Sequence, residues 1–520
     1  MVHTSARHPT PSYRRVEEME RNKATIDPRR IRTGALAALV ALLVLSGSAS
    51  AQPLSALRLV NYFPSQDGWG SMWWSWNPAQ MAIDFKRIGA LHANAVRIIV
   101  SAPAFGFPHP SQTMESRLQR TLALAASAGL RVQLTLFNEW RDYEDVAGSR
   151  TWAAEVLAPL RGSPQIAYID LHNELPSTGP ALAWARAMVP FVQSIDGGIP
   201  VTVSTSVSSG VAPLRALSAA LADDPPNLFD VHYYGKAADA YAVLSQARAL
   251  AGPLPLVVGE TGFATDPSYG WARGLEPATS SLDSYQAYYF RTVELATRVL
   301  GLPPAAPWIL YDMPGQGGTR WGFHMGILHA NGAPKPAATA IAGAFAGTPL
   351  SSSFNNGFEH SAGRPALPAL WRRWLPRDAR FAIDRTVAHS GRASARISGA
   401  RGDHETGCPA FYAAPIAVIQ AGVTYTASVW ARGRATRGES RIVLAWTDAA
   451  GRYIASSNSQ SLPPGDSGWK RLSVSAQPPP GASAVEIDLQ VCESPGTTWF
   501  DDVGFSPTAG TIAARRARRG

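Results

Sequence analysis

At 520 residues, 46% of them hydrophobic, the chain is long enough for more than one core and too apolar to be intrinsically disordered. The formal charge of +9 overstates the folded part. Residues 1–51 hold eight Lys/Arg against four Asp/Glu, and Arg515, Arg516, Arg518 and Arg519 crowd the last residues. The body between is near neutral and has no basic stripe of the kind nucleic acid requires.

The first 33 residues are polar and end in Arg29, Arg30 and Arg32. The apolar run Gly34–Leu45 follows, then the small residues Ala49, Ser50 and Ala51. Basic, apolar, then small-x-small is the pattern of a secretory signal, with cleavage expected after Ala51. Twelve apolar residues fall short of the ~20 that a spanning helix needs. The expectation is a signal peptide over 1–51 and an exported, extracellular protein with no stable membrane insertion after cleavage.

From 52 to 349, short β-rich runs alternate with longer helical ones. The strand candidates are LRLVNYF, NAVRIIV, RVQLTLF, QIAYIDL, IPVTVST, NLFDVHY, PLVVGE and APWILYDM. Before the second, Asn77 and Pro78 read as a helix start, and Met81, Phe85, Ile88 and Leu91 share one face. Eight strand-helix repeats predict an α/β chain folded as a (β/α)8 TIM barrel. No glycine-rich phosphate loop follows the first strand, which weakens the doubly wound alternative.

In a parallel barrel the site lies at the C-terminal ends of the strands. The candidates there, in order, are Arg97, Asn138 with Glu139, Asn173 with Glu174, His232 with Tyr234, Glu260, and Trp308 with Tyr311. Glu174 and Glu260 end apolar runs on different strands. Two carboxylates facing one cleft are what glycoside hydrolysis requires: one protonates the leaving oxygen, the other attacks or activates water. An acid should have a raised pKa, and a nucleophile should stay ionised. Glu139, also preceded by Asn, is the decoy for the acid. His172 reads as a packing histidine, and Asp170 and Asp230 as supports of the barrel mouth. A metal-dependent hydrolase would want paired histidines, and the barrel stretch has no His-x-His or His-x3-His pair.

Taken together, these motifs resemble the clan A glycoside hydrolases, nearest family 5 and its cellulase-like members. The resemblance implies Glu174, the Glu of an Asn-Glu pair ending strand four, as acid/base, and Glu260, ending strand seven, as nucleophile. It implies sugar-binding roles for Arg97, Asn173, His232, Tyr234 and Trp308, to which Asn138, a strand-tip candidate by position, is added. It implies no cofactor for catalysis. The chain departs from family 5 at strand three, where Phe137-Asn138 stands in place of a His, and at strand eight, where Trp308 comes early.

From 350 to 506 the runs shorten and alternate: SARISG, TYTASVWARG, RIVLAWTD, KRLSVSA, AVEIDLQV, TWFDDVGF. This predicts an all-β sandwich of jelly-roll type. Its rhythm resembles carbohydrate-binding modules of families 4 and 9, which implies aromatic ligand contacts and a structural calcium held by Glu359 and Asp502. The aromatic candidates are Trp371, Trp374, Trp430, Trp446, Tyr453 and Trp469, half or more of them core. Cys408 and Cys492 are the only cysteines, so export predicts a disulfide between them. Residues 507–520 read as a basic disordered tail.

The whole reads as a monomeric, secreted, retaining glycoside hydrolase acting on β-linked polysaccharide or oligosaccharide of the glucan or mannan type. The other reading is a non-catalytic polysaccharide-binding protein on a degenerate barrel. Both glutamates, Arg97 and His232-x-Tyr234 argue against it. Sugar, linkage and endo or exo action are open at this level.

Overall fold

The computed structural model describes residues 53–507, except 69–70, 267–281, 314–323, 348–354, 360, 363–366, 369–370, 420–421 and 450. The expected signal peptide, nearly all of the expected tail, Trp69 and the junction at 349–350 lie outside the described residues. No described helix is long and apolar enough to cross a membrane.

The first lobe alternates strand and helix. Its strands are β1 (Leu59–Asn61), β2 (Ala95–Ile99), β3 (Arg131–Thr135), β4 (Ile166–Asp170), β5 (Val201–Thr202), β6 (Ser204–Ser206), β7 (Phe229–Tyr233) and β8 (Leu256–Thr261). The helices are α1 (Pro78–Ala90), α2 (Gln112–Ser127), α3 (Val146–Leu157), α4 (Gly179–Ile195), α5 (Ala212–Ala220), α6 (Ala240–Ala251), α7 (Leu282–Val299) and α8 (Pro336–Phe345). Strands β1 to β5 form one parallel sheet in sequence order, and β6, β7 and β8 form a second. The run 201–206 belongs to both sheets, pairing with β4 through its first half and with β7 through its second. Every residue of β2, β4, β7 and β8 is buried, as befits parallel strands covered on both faces.

The expected eighth strand forms no ladder. Segment 305–311 instead makes one isolated bridge to β8, with three backbone bonds to that strand and two to β1. Trp308 N–H donates to Thr261 O at 2.7 Å, and Asn61 N–H donates to Pro307 O at 3.3 Å. Pro307 has no N–H to give, which breaks the regular pattern. The segment still lies between β8 and β1.

Local signals act as the sequence suggests. Asn77 accepts from Gln80 N–H at 3.1 Å with Pro78 in the first turn, and Met81, Phe85 and Ile88 are buried. Ser111 and Asp145 cap α2 and α3 in the same way.

The second lobe is antiparallel. After a two-stranded ribbon, β9 (Ser361–Ala362) with β10 (Leu367–Pro368), two five-stranded sheets face each other. One has the order β11 (Arg372–Trp374), β14 (Ala410–Val418), β19 (Ala484–Cys492), β16 (Glu439–Thr447), β17 (Tyr453–Asn458). The other runs β12 (Arg380–Asp384), β13 (Ser394–Ser398), β20 (Thr497–Pro507), β15 (Tyr425–Thr436), β18 (Gly465–Ala476). Phe381, Ile397, Phe411, Val429, Leu444, Trp446 and Phe500 fill the space between them. Cys408 and Cys492 are disulfide-bonded, with Cα atoms 4.9 Å apart. Of the six aromatic candidates, Trp371 and Trp446 are core, while Trp374 and Tyr453 stand out in solvent.

The lobes touch. Helix α7 packs on β14, and Ala484 of β19 joins the apolar cluster of α6 and α7. Arg372 pairs with Asp239, and the Tyr241 hydroxyl donates to Asp448 O at 3.2 Å.

Candidate active site

The parallel register places the site. Asn61 aligns with Arg97 across β1 and β2, and His232 with Glu260 across β7 and β8. The strand ends therefore bring Asn61, Arg97, Asn173, Glu174, His232, Tyr234 and Glu260 into one bonded cluster.

Arg97 is its hub. It is fully buried, and all its N–H groups are taken. Nε donates to Thr135 Oγ1 at 2.7 Å and Nη1 to Asn61 Oδ1 at 3.1 Å. Nη1 also holds Glu260 Oε1. Nη2 donates to Asp170 Oδ2 at 3.1 Å and to Asn173 Oδ1 at 2.7 Å. A guanidinium with no donor left has none for a sugar. Its expected place in substrate binding gives way to that of aiming Glu260 and Asn173.

Glu260 is buried, and its second oxygen accepts from the Tyr234 hydroxyl at 2.6 Å. Glu174 stands at the mouth with its side chain 39% exposed. Its backbone takes a φ of +47°, and its N–H donates to Ser204 Oγ at 2.9 Å. A non-glycine residue in the left-handed region is a strain that surrounding bonds must hold in place.

His232 lies between the two glutamates. Its Nδ1 is 3.2 Å from Glu174 Oε1 and 3.4 Å from Glu260 Oε2. The nearest carboxylate oxygens of Glu174 and Glu260 and a His232 nitrogen all lie within 4.8 Å of one another. Burial works against a charge on His232, but Glu260 and Glu174 outweigh it and push the imidazole up to about 9. In turn, burial raises the Glu174 carboxyl, but the His232 hydrogen bond and charge, with Arg97, hold it below its ordinary value. The expected raised acid is thus absent at rest. The cause is a cation that chain order could not place.

Beneath the cluster, Asp170 accepts from Ser204 N–H at 2.8 Å and Asp230 from the Tyr168 hydroxyl at 2.8 Å, both fully buried. Burial pushes Asp230 up to about 6. Both carboxylates support the mouth, as the sequence suggests. His172 packs against Trp184 and Tyr143.

Glu139 is exposed and no bond joins it to the cluster. Asn138, buried behind β3, makes no bond to the cluster either. Trp308 is buried at the end of β8, with its ring edge-on to Phe63 and its indole N–H without a partner. Asn61 and Ser204 were missed by sequence reasoning. The signal for Asn61 was present, as one amide inside the apolar run LRLVNYF.

Glu174, His232 and Glu260 are spaced closely enough to hold a cation. Both Glu260 oxygens already accept from Arg97 and Tyr234, however, and the adjacent guanidinium would repel a metal. In the second lobe, Glu359 Oε1 accepts from Arg392 N–H at 2.8 Å, and Asp502 binds His389 Nδ1 at 2.6 Å and Ser390 Oγ at 2.7 Å. These bonds join both expected calcium ligands to the loop 389–392.

No protein-family model matches the chain, and no curated protein matches it. Among solved structures, it is similar to the exo-β-1,4-mannosidase Op5Man5 from Opitutaceae bacterium strain TAV5, at 19% identity and TM-score 0.47. That match covers 56% of this chain and 59% of the mannosidase, so the chain spans well under two thirds of its length. It is also similar to a GH5_18 protein from Streptomyces cattleya in complex with GlcNAc, at 19% identity and TM-score 0.46, over 55% of this chain and 79% of that one. A third is β-glucosidase 1317, at 15% identity and TM-score 0.41, over 54% and 89%.

Proposed function

We propose that the chain is a retaining β-glycoside hydrolase of the clan A type on a (β/α)8 barrel, acting on β-linked glucan- or mannan-type saccharides. The observation that carries this reading is the pair of strand-end glutamates whose oxygens approach within 4.8 Å across His232. Retaining enzymes hold their carboxyl groups ~5–5.5 Å apart, whereas inverting ones leave ~6.5–9.5 Å for a water.

Glu260, held in place by Arg97 and the Tyr234 hydroxyl, attacks the anomeric carbon. Asn173 gives its side-chain oxygen to Arg97, which leaves its amide nitrogen to donate to a sugar 2-hydroxyl. The acid's proton rests on His232. When Glu260 bonds to carbon, its negative charge is consumed, and with it the largest influence holding that proton on the imidazole. His232 Nδ1 then passes the proton to Glu174 Oε1, 3.2 Å away, and Glu174 delivers it to the leaving oxygen. In the second half Glu174 takes a proton from water, and the imidazole is recharged.

Turnover of aryl β-glycosides tests the assignment. Glu260→Ala should abolish it for every leaving group. Glu174→Ala should retain activity on activated leaving groups. Comparable collapse in both variants for activated substrates would reject the roles.

A further inference from the structure

The proposed acid sits on a turn beyond its strand. β4 ends at Asp170, and Glu174 follows with its backbone at φ +47°. A non-glycine residue persists in the left-handed region only where its surroundings fix it. His232 and Ser206 bond the Glu174 carboxylate, at the far end of a side chain with several rotatable bonds. Fixing the turn itself falls to contacts with its backbone.

Ser204, at the start of β6, makes such contacts. Its Oγ accepts from Glu174 N–H at 2.9 Å, and its carbonyl accepts from Leu175 N–H at 2.9 Å. The same hydroxyl lies 3.1 Å from His172 O and 3.0 Å from Asp170 Oδ2, either of which can take its proton. The backbone on both sides of Glu174 is thus tied to one fully buried residue of the neighbouring strand. The topology puts Ser204 there. Pairing of the run 201–206 with β4 ends at Thr202, opposite Asp170, and pairing with β7 begins at Ser204. At that switch the Ser204 N–H turns to Asp170 Oδ1 at 2.8 Å. A hydroxyl suits the place because one oxygen both accepts and donates.

The nucleophile is supported separately. Arg97 and Tyr234 hold Glu260, and Arg97 also holds Asn173 at 2.7 Å. Asp170 Oδ2 meets Arg97 at 3.1 Å and Thr135 Oγ1 at 3.2 Å, so its place does not depend on the Ser204 hydroxyl.

We infer that Ser204 is a positioning residue for the acid step, whose hydroxyl and carbonyl clamp the turn and so aim the Glu174 carboxyl at the leaving oxygen. The inference rests on the acid/base role proposed above for Glu174, and adds that this role depends on a buried residue of another strand.

The test compares kcat/KM for two substrates, the dinitrophenyl and phenyl β-glycosides of the sugar that the wild type cleaves. The first leaving group departs without a proton, and the second needs one. Ser204→Ala should lower the phenyl value about tenfold, the worth of one hydrogen bond, and leave the dinitrophenyl value within about twofold. A merely structural loss would reduce the amount of active enzyme and cut both values alike. In the Glu174→Ala chain, adding Ser204→Ala should change the phenyl value by less than about twofold, because the group it aims is gone. Ser204→Cys keeps the shape with a weaker acceptor. It should show the same split in smaller measure, and it decides the matter if the alanine variant does not fold. Equal losses on both substrates, no loss on the phenyl glycoside, or the full loss on top of Glu174→Ala overturns this inference alone. A wild type that cleaves neither substrate, or a Glu174→Ala variant that affects both equally, refutes the acid role itself, and the inference falls with it.

Discussion

His232 offers a perturbation whose size can be worked out in advance. Its pKa rises from 6.5 to about 9 in the folded state. At 1.36 kcal/mol per unit, that is roughly 3 kcal/mol of stability from a charged imidazole between two carboxylates. A raised folded pKa stabilises fully below the unfolded value and is lost as pH climbs through the folded one. The contribution is therefore nearly complete at neutral pH and gone above about pH 9. The assay is urea unfolding of wild type and His232→Gln at about pH 7 and about pH 10. Asp230, pushed up to about 6, has already ionised over that range. The wild type's advantage should shrink between the two conditions by about 2–3 kcal/mol. An advantage that does not change with pH would mean that the imidazole is neutral, and the proton store assigned to it would be refuted.

Further outcomes follow from other contacts. Arg97→Ala leaves Asp170 and Glu260 without their cation and should destabilise by about 3–5 kcal/mol. Arg97→Lys should recover part of that stability but little turnover, because one ammonium cannot hold Glu260 and Asn173 together, as thermal melts and kinetics would show. Reducing Cys408–Cys492 opens a loop of 84 residues and should cost roughly 4–5 kcal/mol, read as a lowered melting temperature in reductant. Thiol titration of the unreduced protein should find none. Expressed with its leader in an exporting host, the protein should appear in the medium beginning at Gln52; a cytosolic product still carrying residues 1–51 would contradict the export reading.

Much of this site was legible in the chain because parallel strands announce themselves. AYIDL is apolar but for Asp170 and PLVVG is an unbroken apolar run, and the polar residues that follow them fall at the strand ends. Asn77-Pro78 marked a helix start for an equally local reason. What could not be read depended on three-dimensional neighbours. Arg97 looked like a sugar contact until five acceptors converged on it. Glu174 was expected to be a raised acid, but the cation that lowers it comes from a strand 58 residues away. The segment APWILYDM has strand composition, yet Pro307 denies it a ladder.

The central claim is that Glu260 is the nucleophile and Glu174 the acid/base of a retaining reaction. Azide rescue of Glu174→Ala on an activated aryl β-glycoside tests both roles at once, with the product followed by NMR. The account predicts recovered turnover and a β-glycosyl azide, because azide takes water's place on the Glu260 glycosyl-enzyme and needs no general base. An α-glycosyl azide, no rescue at all, or the same rescue pattern from Glu139→Ala would contradict it.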